Sequence, residues 1–216
     1  YVQSSMVSPG SAARHFQFAV ALSQVGVMAG IPLLLSWYLK FDLGRTFSLR
    51  SAGLRHWAGA ALLALSIVPV AAMVNELIGS IIPGLKPEGE LFEEQQKLLT
   101  TGPLPLILLA FAVAPGICEE LLFRGLLLSG LRTKLTPMWT AVAVGVIFGV
   151  FHIYVEKIPI VCLLGILLSF ICLRSGSIFP AMLVHVANNA LSLAAAKSEH
   201  FGNICRSVKA SREHPR

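Results

Sequence analysis

Long apolar runs with almost no charge inside them dominate this sequence of 216 residues. A helix needs about 20 residues to cross the roughly 30 Å hydrocarbon core of a bilayer. Only 13% of the residues are charged, against about 25% in an ordinary soluble domain. Lipid is therefore the solvent for most of the chain, and the sequence predicts an all-α, polytopic membrane helix bundle with about six transmembrane helices. The six runs are 16–39, 57–78, 103–131, 136–151, 158–173 and 178–196.

The few charged residues have an informative distribution. The formal net charge is +6, but the basic residues lie in short clusters between the apolar runs and near the C-terminus. This pattern is typical of membrane proteins with basic loops rather than of nucleic-acid-binding proteins. We therefore expect membrane lipid as a partner, no nucleic acid, and an integral, multi-pass location, with the bacterial inner membrane as the expected compartment. Orientation stays open, because the basic first loop and the basic tail would fall on opposite sides of a six-span protein.

The sequence divides into three parts. Residues 1–102 are predicted to hold two transmembrane helices, a basic linker at the membrane surface and an acidic loop with a short surface helix. Residues 103–197 hold the remaining apolar runs, and residues 198–216 form a basic tail that we expect to be disordered. The sequence starts at Tyr1 rather than Met, which leaves open whether further spans precede it.

Three charged residues lie close together inside the third apolar run: Glu119, Glu120 and Arg124. Each ionisable group inside a membrane helix costs about 2.5–3.5 kcal/mol on insertion scales and is a functional candidate by default. Glu120 and Arg124 are four residues apart, so they meet on one helix face and can form a structural ion pair. Glu119 points about 100° away from Glu120. Its own helix leaves Glu119 unpaired, which makes it the candidate for chemistry.

Two other runs carry histidines. His152 ends the fourth run, four residues after Phe148 on the same face. Glu119 and His152 are about equally far from the turn between the third and fourth runs, so an antiparallel hairpin places them at the same depth. The sixth run supplies His185 and Asn189 on one face, and Asn is tolerated in lipid when it hydrogen-bonds within the bundle. This pair reaches the depth of Glu119 only if the turn between the third and fourth runs projects beyond the membrane.

These polar residues form three short motifs in a fixed order on successive hydrophobic helices. The motifs are Glu119-Glu120-x-x-x-Arg124, Phe148-x-x-x-His152 and His185-x-x-x-Asn189. Over roughly residues 104–196, this combination resembles the CPBP intramembrane proteases. That family, also called Abi, includes the type II CAAX prenyl endopeptidases.

The resemblance implies an intramembrane endopeptidase that hydrolyses a peptide bond of a membrane-associated or prenylated (CAAX-type) protein or peptide. It implies that Glu119 is the general base and that His152 helps to hold and polarise a water molecule. It further implies that His185 and Asn189 donate hydrogen bonds to the oxyanion of the tetrahedral intermediate. The water-excluding membrane interior suits such fixed donors, because they stabilise developing charge best where water is absent.

In this interpretation Glu120, Arg124 and Phe148 support the catalytic helices. We expect no cofactor, but the sequence leaves a zinc-dependent metallo-endopeptidase open, because two His and one Glu are a known catalytic zinc set. The absence of an H-E-x-x-H helix and the poor suitability of Asn189 as a zinc ligand weigh against zinc. The ligands of such a metal would be Glu119, His152 and His185.

Three alternatives compete with a water-activating protease. A transporter or channel component also carries charged residues within its spans, but it predicts repeated halves with matching broken helices, and none is found in the sequence. A non-catalytic membrane scaffold of the same fold is the second alternative. A cysteine protease built on Cys118 is the third, and the sequence offers no oriented base for it.

Overall fold

The structure is a computed structural model that describes residues 9–82, 90–152 and 154–213, and all secondary structure within these residues is helical. Five helices are long and apolar enough to cross a membrane: α1, α2, α4, α6 and the part of α7 up to Ser198. In chain order the helices are α1 (Gly10–Tyr38), α2 (Leu54–Ile81), α3 (Glu90–Thr100), α4 (Leu104–Leu131), α5 (Pro137–Phe151), α6 (Val155–Ser175) and α7 (Phe179–Glu213).

The all-α, polytopic bundle is confirmed, and the protein is an integral membrane protein. Of the predicted crossings, about six in number, five among the described residues form helices that are long and apolar enough to span a membrane. The fourth apolar run forms α5, which has only 15 residues. At 1.5 Å per residue its length is about 22 Å, short of the hydrocarbon core. His152 directly follows the last residue of α5 and caps its C-terminal end.

The acidic loop contains the helix that the sequence predicted, whereas the tail differs from the prediction. The short surface helix predicted in the acidic loop is present as α3, although residues 83–89 lie outside the described residues. Helix α7 continues to Glu213, into the segment 198–216 for which the sequence predicted disorder. No Gly or Pro interrupts the chain between residues 190 and 201, and such a segment propagates an existing helix readily.

Helix α4 lies at the centre of the bundle. In its most apolar 18-residue stretch 56% of the residues are buried, against 11% in α1 and in α2, whose surfaces face lipid. Close approach of the helices depends on glycine. A Cβ atom added to Gly165 of α6 would lie 2.8 Å from Cα of Gly145 in α5, and one added to Gly116 of α4 would lie 2.9 Å from the backbone N of Val186 in α7. Small residues thus set the helix spacing, as is common in membranes.

Two of the membrane helices contain π-helical segments. The segment Gln24–Gly30 lies in α1, and the segments Leu109–Val113 and Leu121–Leu127 lie in α4. Such segments change the phase of the side chains around a helix and occur often at functional sites. Glu119 lies in the short α-helical stretch between the two π-helical segments of α4.

The basic linker between α1 and α2 packs against the bundle instead of only lying on the membrane surface. Phe47 is fully buried, and Ser129 Oγ donates to the carbonyl of Thr46. At the same end of the bundle Arg50 Nε donates to the carbonyl of Gly176, the residue between α6 and α7. The linker therefore holds together the ends of α4, α6 and α7.

Candidate active site

The four residues predicted to carry the chemistry line one cavity of about 540 Å³. Glu119 comes from α4, His152 from the end of α5, and His185 and Asn189 from one face of α7. His185 and Asn189 therefore reach the same cavity as Glu119, a point that the sequence left open. The roles of these residues remain predictions, but the positions required for those roles are compatible with the fold.

Glu119 is buried and has partners from two other helices. Gln24 Nε2 in α1 donates a hydrogen bond of 2.9 Å to Glu119 Oε1. The second oxygen, Oε2, lies 3.9 Å from His185 Nε2 and has no hydrogen-bond partner among the described residues. The carboxylate is thus held through one oxygen and presents the other toward an imidazole in the cavity.

Glu120 has a different environment although it is the next residue. The predicted ion pair is present, with Arg124 Nη1 at 2.7 Å from Glu120 Oε1, and both side chains are fully buried. The same oxygen is 2.8 Å from His185 Nδ1, a contact that the sequence did not indicate. Arg124 Nη2 also donates to the carbonyl of Gly165 at 2.9 Å. One buried network therefore connects α4, α6 and α7.

His185 lies between the two carboxylates. With Glu120 ionised by its pairing to Arg124, the carboxylate accepts, so His185 Nδ1 must carry a hydrogen and donate. The other nitrogen, Nε2, faces Glu119. A neutral His185 would accept through Nε2, and only a ring protonated on both nitrogens can donate through it.

His152 is oriented by its own helix. Its Nδ1 lies 2.9 Å from the carbonyl oxygen of Phe148, and since a carbonyl only accepts, Nδ1 carries the hydrogen and Nε2 of the neutral ring is an acceptor. The fully buried ring of Phe148 contacts His152 and His185 edge to face, with centroids 4.7 Å and 5.7 Å away. The guanidinium of Arg124 lies 4.5 Å from the centroid of the Phe148 ring. Phe148 therefore fixes the positions of both imidazoles.

Asn189 has one defined partner at the site. Asn188 Nδ2 donates to Asn189 Oδ1 at 3.1 Å. Asn189 Oδ1 accepts this hydrogen bond, and its Nδ2 group is a donor that can bind another group. Asn188 also lines the cavity.

Several cavity residues were not singled out as site residues from the sequence. Gln24 was missed, although an amide within an apolar run is a signal of its own. Asn75 of α2 and Glu156 and Lys157 of α6 also line the cavity. The remaining polar lining residues outside the predicted set are Gln96 and Ser192.

The proposed zinc ligands do not form a ready metal site in this arrangement. Among the residues that the structure describes, no three His, Cys, Asp or Glu side chains are grouped so as to hold a metal ion. His185 directs both ring nitrogens toward carboxylates, and one oxygen of Glu119 is engaged by Gln24. The expectation of no cofactor stays a prediction, and chelator experiments test it against the zinc alternative.

The fold and the cavity define a class, an integral membrane protein with a polar, enzyme-like site between its helices. Residues 101–191 match the family model described as Rce1-like, Type II CAAX prenyl endopeptidase. This match, which covers less than half of the chain, supports the CPBP/CAAX protease family and a protease as the class of protein. The matched segment includes all four predicted catalytic residues, whereas Gln24 lies outside it. No curated protein and no solved structure matches the chain.

Proposed function

We propose that this protein is an intramembrane endopeptidase that hydrolyses a peptide bond of a membrane-associated or prenylated (CAAX-type) protein or peptide. The observation that carries the proposal is the meeting of Glu119, His152, His185 and Asn189 at one cavity within the segment that matches the family. A Glu/His pair for water and a His/Asn pair for an oxyanion are the groups that such a reaction requires.

The first step is attack of water on the scissile carbonyl carbon. Glu119 Oε2 accepts a proton from the water as its oxygen forms the new C–O bond. His152 Nε2 accepts a hydrogen bond from the same water and orients it. The orientation of His152 by the Phe148 carbonyl supports this role, because it leaves Nε2 as the acceptor.

The second requirement is stabilisation of the negative charge on the former carbonyl oxygen. Asn189 Nδ2 is available to donate, and His185 Nε2 donates when His185 is protonated on both nitrogens. Glu120 holds His185 through Nδ1 and directs Nε2 to the cavity. Collapse of the intermediate breaks the C–N bond, and the proton taken by Glu119 passes to the leaving amine, which leaves a carboxylate product and a free amine.

An apolar substrate portion fits the surroundings of this site. A second cavity of about 260 Å³ lies between α2, α6 and α7 and is lined mainly by aliphatic side chains. Asn75, Val161 and Asn188 are among the residues that line both this cavity and the catalytic cavity. Such a surface favours an apolar side chain or a prenyl group next to the scissile bond. The bacterial inner membrane is the proposed location.

Purified protein in liposomes provides the test. Two fluorogenic peptides with the same sequence ending in a CAAX motif, one farnesylated and one not, are compared for wild type and Glu119→Gln, with and without chelator. We expect cleavage by wild type, a loss of about 10²–10⁴-fold in Glu119→Gln with an unchanged melting temperature, and no effect of the chelator. Full activity of Glu119→Gln contradicts the mechanism, and equal cleavage of both peptides contradicts a requirement for the prenyl group.

A further inference from the structure

Helix α1 carries two amide side chains that face the bundle, Gln17 and Gln24, two helical turns apart. An amide in a membrane helix is unfavourable unless it hydrogen-bonds within the protein. Gln17 Nε2 donates to the backbone carbonyl of Thr101 at 2.7 Å, just before α4 begins. Gln24 Nε2 donates to the carboxylate of Glu119 at 2.9 Å. The first contact connects a side chain of α1 to the backbone just before α4, and the second connects α1 to a side chain proposed to react.

The direction of the Gln24 hydrogen bond is determined by chemistry. An ionised carboxylate only accepts, so the NH₂ group of Gln24 must face Glu119. The bond occupies Oε1 and leaves Oε2 as the oxygen that faces His185 Nε2, 3.9 Å away. A carboxylate held at one oxygen keeps its rotamer, so the reactive oxygen stays at one place in the cavity.

The local backbone supports a specific role for Gln24. The π-helical segment Gln24–Gly30 begins at this residue, and this part of α1 packs against the stretch of α4 that contains Glu119. A π-helical segment alters the phase of the helix, and Gln24, at the start of this segment, faces Glu119. Gln24 also lines the catalytic cavity together with Glu119.

From these contacts we infer that Gln24 is a positioning residue for the catalytic base, holding Glu119 Oε1 so that Oε2 is directed to the water and the scissile carbonyl. The inference rests on the proposed function. It adds a residue from outside the family-matched segment 101–191, and it assigns to α1 a part in the reaction rather than only in packing.

The test compares Gln24→Met with Gln17→Met, which remove each amide while keeping an unbranched side chain of similar length. Partners that orient a reacting ligand or base typically matter by about 10–100-fold. We therefore expect Gln24→Met to lower kcat by about 10–100-fold, with KM and the melting temperature near wild type. Gln17→Met lowers the melting temperature and leaves kcat of the folded protein unchanged.

Gln24→Asn, which keeps the amide but shortens the side chain, is the second variant and should lose the contact with a similar fall in kcat. Wild type and Glu119→Gln are measured in the same assay. If wild type is active, Glu119→Gln is inactive and both Gln24 variants keep the wild-type kcat, the positioning role is wrong while the proposed function stands. If Glu119→Gln is fully active, the proposed function itself is wrong. A fall in melting temperature equal to that of Gln17→Met, with kcat unchanged, would make Gln24 a structural residue only.

Discussion

Glu119 and Glu120 are neighbours in α4, yet they belong to two regions with opposite properties. Glu120 is in a closed network in which Arg124, His185 and the carbonyl of Gly165 are joined by bonds of 2.7–2.9 Å. Glu119 lies at the wall of the cavity, with one oxygen bonded to Gln24 and the other without a hydrogen-bond partner in the described part of the chain. In the first region Glu120 and Arg124 are fully buried and do not line the cavity, although Glu120 Oε2 and Arg124 Nε have no hydrogen-bond partner among the described residues, whereas the carboxylate of the second region lines the cavity.

This difference indicates a division of tasks between adjacent carboxylates. A buried charge pair that is also bonded to a histidine and to a backbone carbonyl of other helices holds those helices in place, and its disruption leaves an uncompensated charge. A carboxylate with a spare oxygen beside an imidazole in a cavity is available for proton transfer. His185 contacts both, so it is the residue through which the rigid region positions the reactive one. Substitutions on the two sides should therefore have separate effects on stability and on turnover.

Arg124→Leu gives the largest expected effect, and it acts on stability. It leaves the carboxylate of Glu120 buried without its cation, which typically costs about 3–5 kcal/mol. Unfolding in mixed micelles by increasing SDS measures the loss, with Glu119→Gln as the comparison that should unfold like wild type. The double variant Glu120→Leu/Arg124→Leu should recover part of the stability, because no single charge stays buried, but not the activity. If Arg124→Leu is as stable as wild type, the claim that the Glu120 region stabilises the fold is wrong.

Asn189→Ala acts on turnover instead. Removal of one oxyanion donor typically lowers kcat by about 10²–10³-fold, and we expect the melting temperature to be retained because Asn189 lies at the cavity rather than in the closed network. Steady-state kinetics in liposomes separate kcat from KM. Asn188→Ala is the matched control, with a smaller loss, because Asn189 then lacks only the partner that orients it. An increase in KM alone would place Asn189 in substrate binding.

Gly165→Ala should give the smallest of the three effects. The added methyl would approach Cα of Gly145 to 2.8 Å, so α5 and α6 must separate slightly, at a cost of about 1–3 kcal/mol for overpacking. The carbonyl that binds Arg124 belongs to the same residue, so kcat should fall modestly as well. Gly130→Ala in α4, where a Cβ meets no atom within 4 Å, is the control and should be as stable as wild type. Equal melting temperatures for both variants would contradict the glycine packing.

Much of the site could be predicted because its evidence is local in the sequence. The pair of Glu120 and Arg124 follows from four-residue spacing on one helix, and the structure contains it. The spacing of His185 and Asn189 likewise placed both on one face of α7, and both line the cavity. Because charged residues are scarce within the apolar runs, these residues could be identified as site candidates from the sequence.

Other features could not be predicted because they depend on distant parts of the chain or on helix ends. The contact between His185 and Glu120 joins residues 65 positions apart, and that between Gln24 and Glu119 joins residues 95 positions apart. Both depend on which helices are neighbours and on their rotation, and the π-helical segments change that rotation. The continuation of α7 to Glu213 was also unpredicted, since the end of an apolar run does not reveal where the helix stops.

The sequence by itself determined that this protein is an all-helical membrane bundle and which few polar residues it carries within the membrane. The hydrophobic effect and the cost of unpaired backbone groups in lipid act on composition and local spacing, so both conclusions are available without coordinates. The tertiary structure decided which of two adjacent carboxylates is closed off and which is left facing the cavity. That choice depends on the crossing of α1, α4 and α7, because a side chain's partners in a bundle come mostly from other helices.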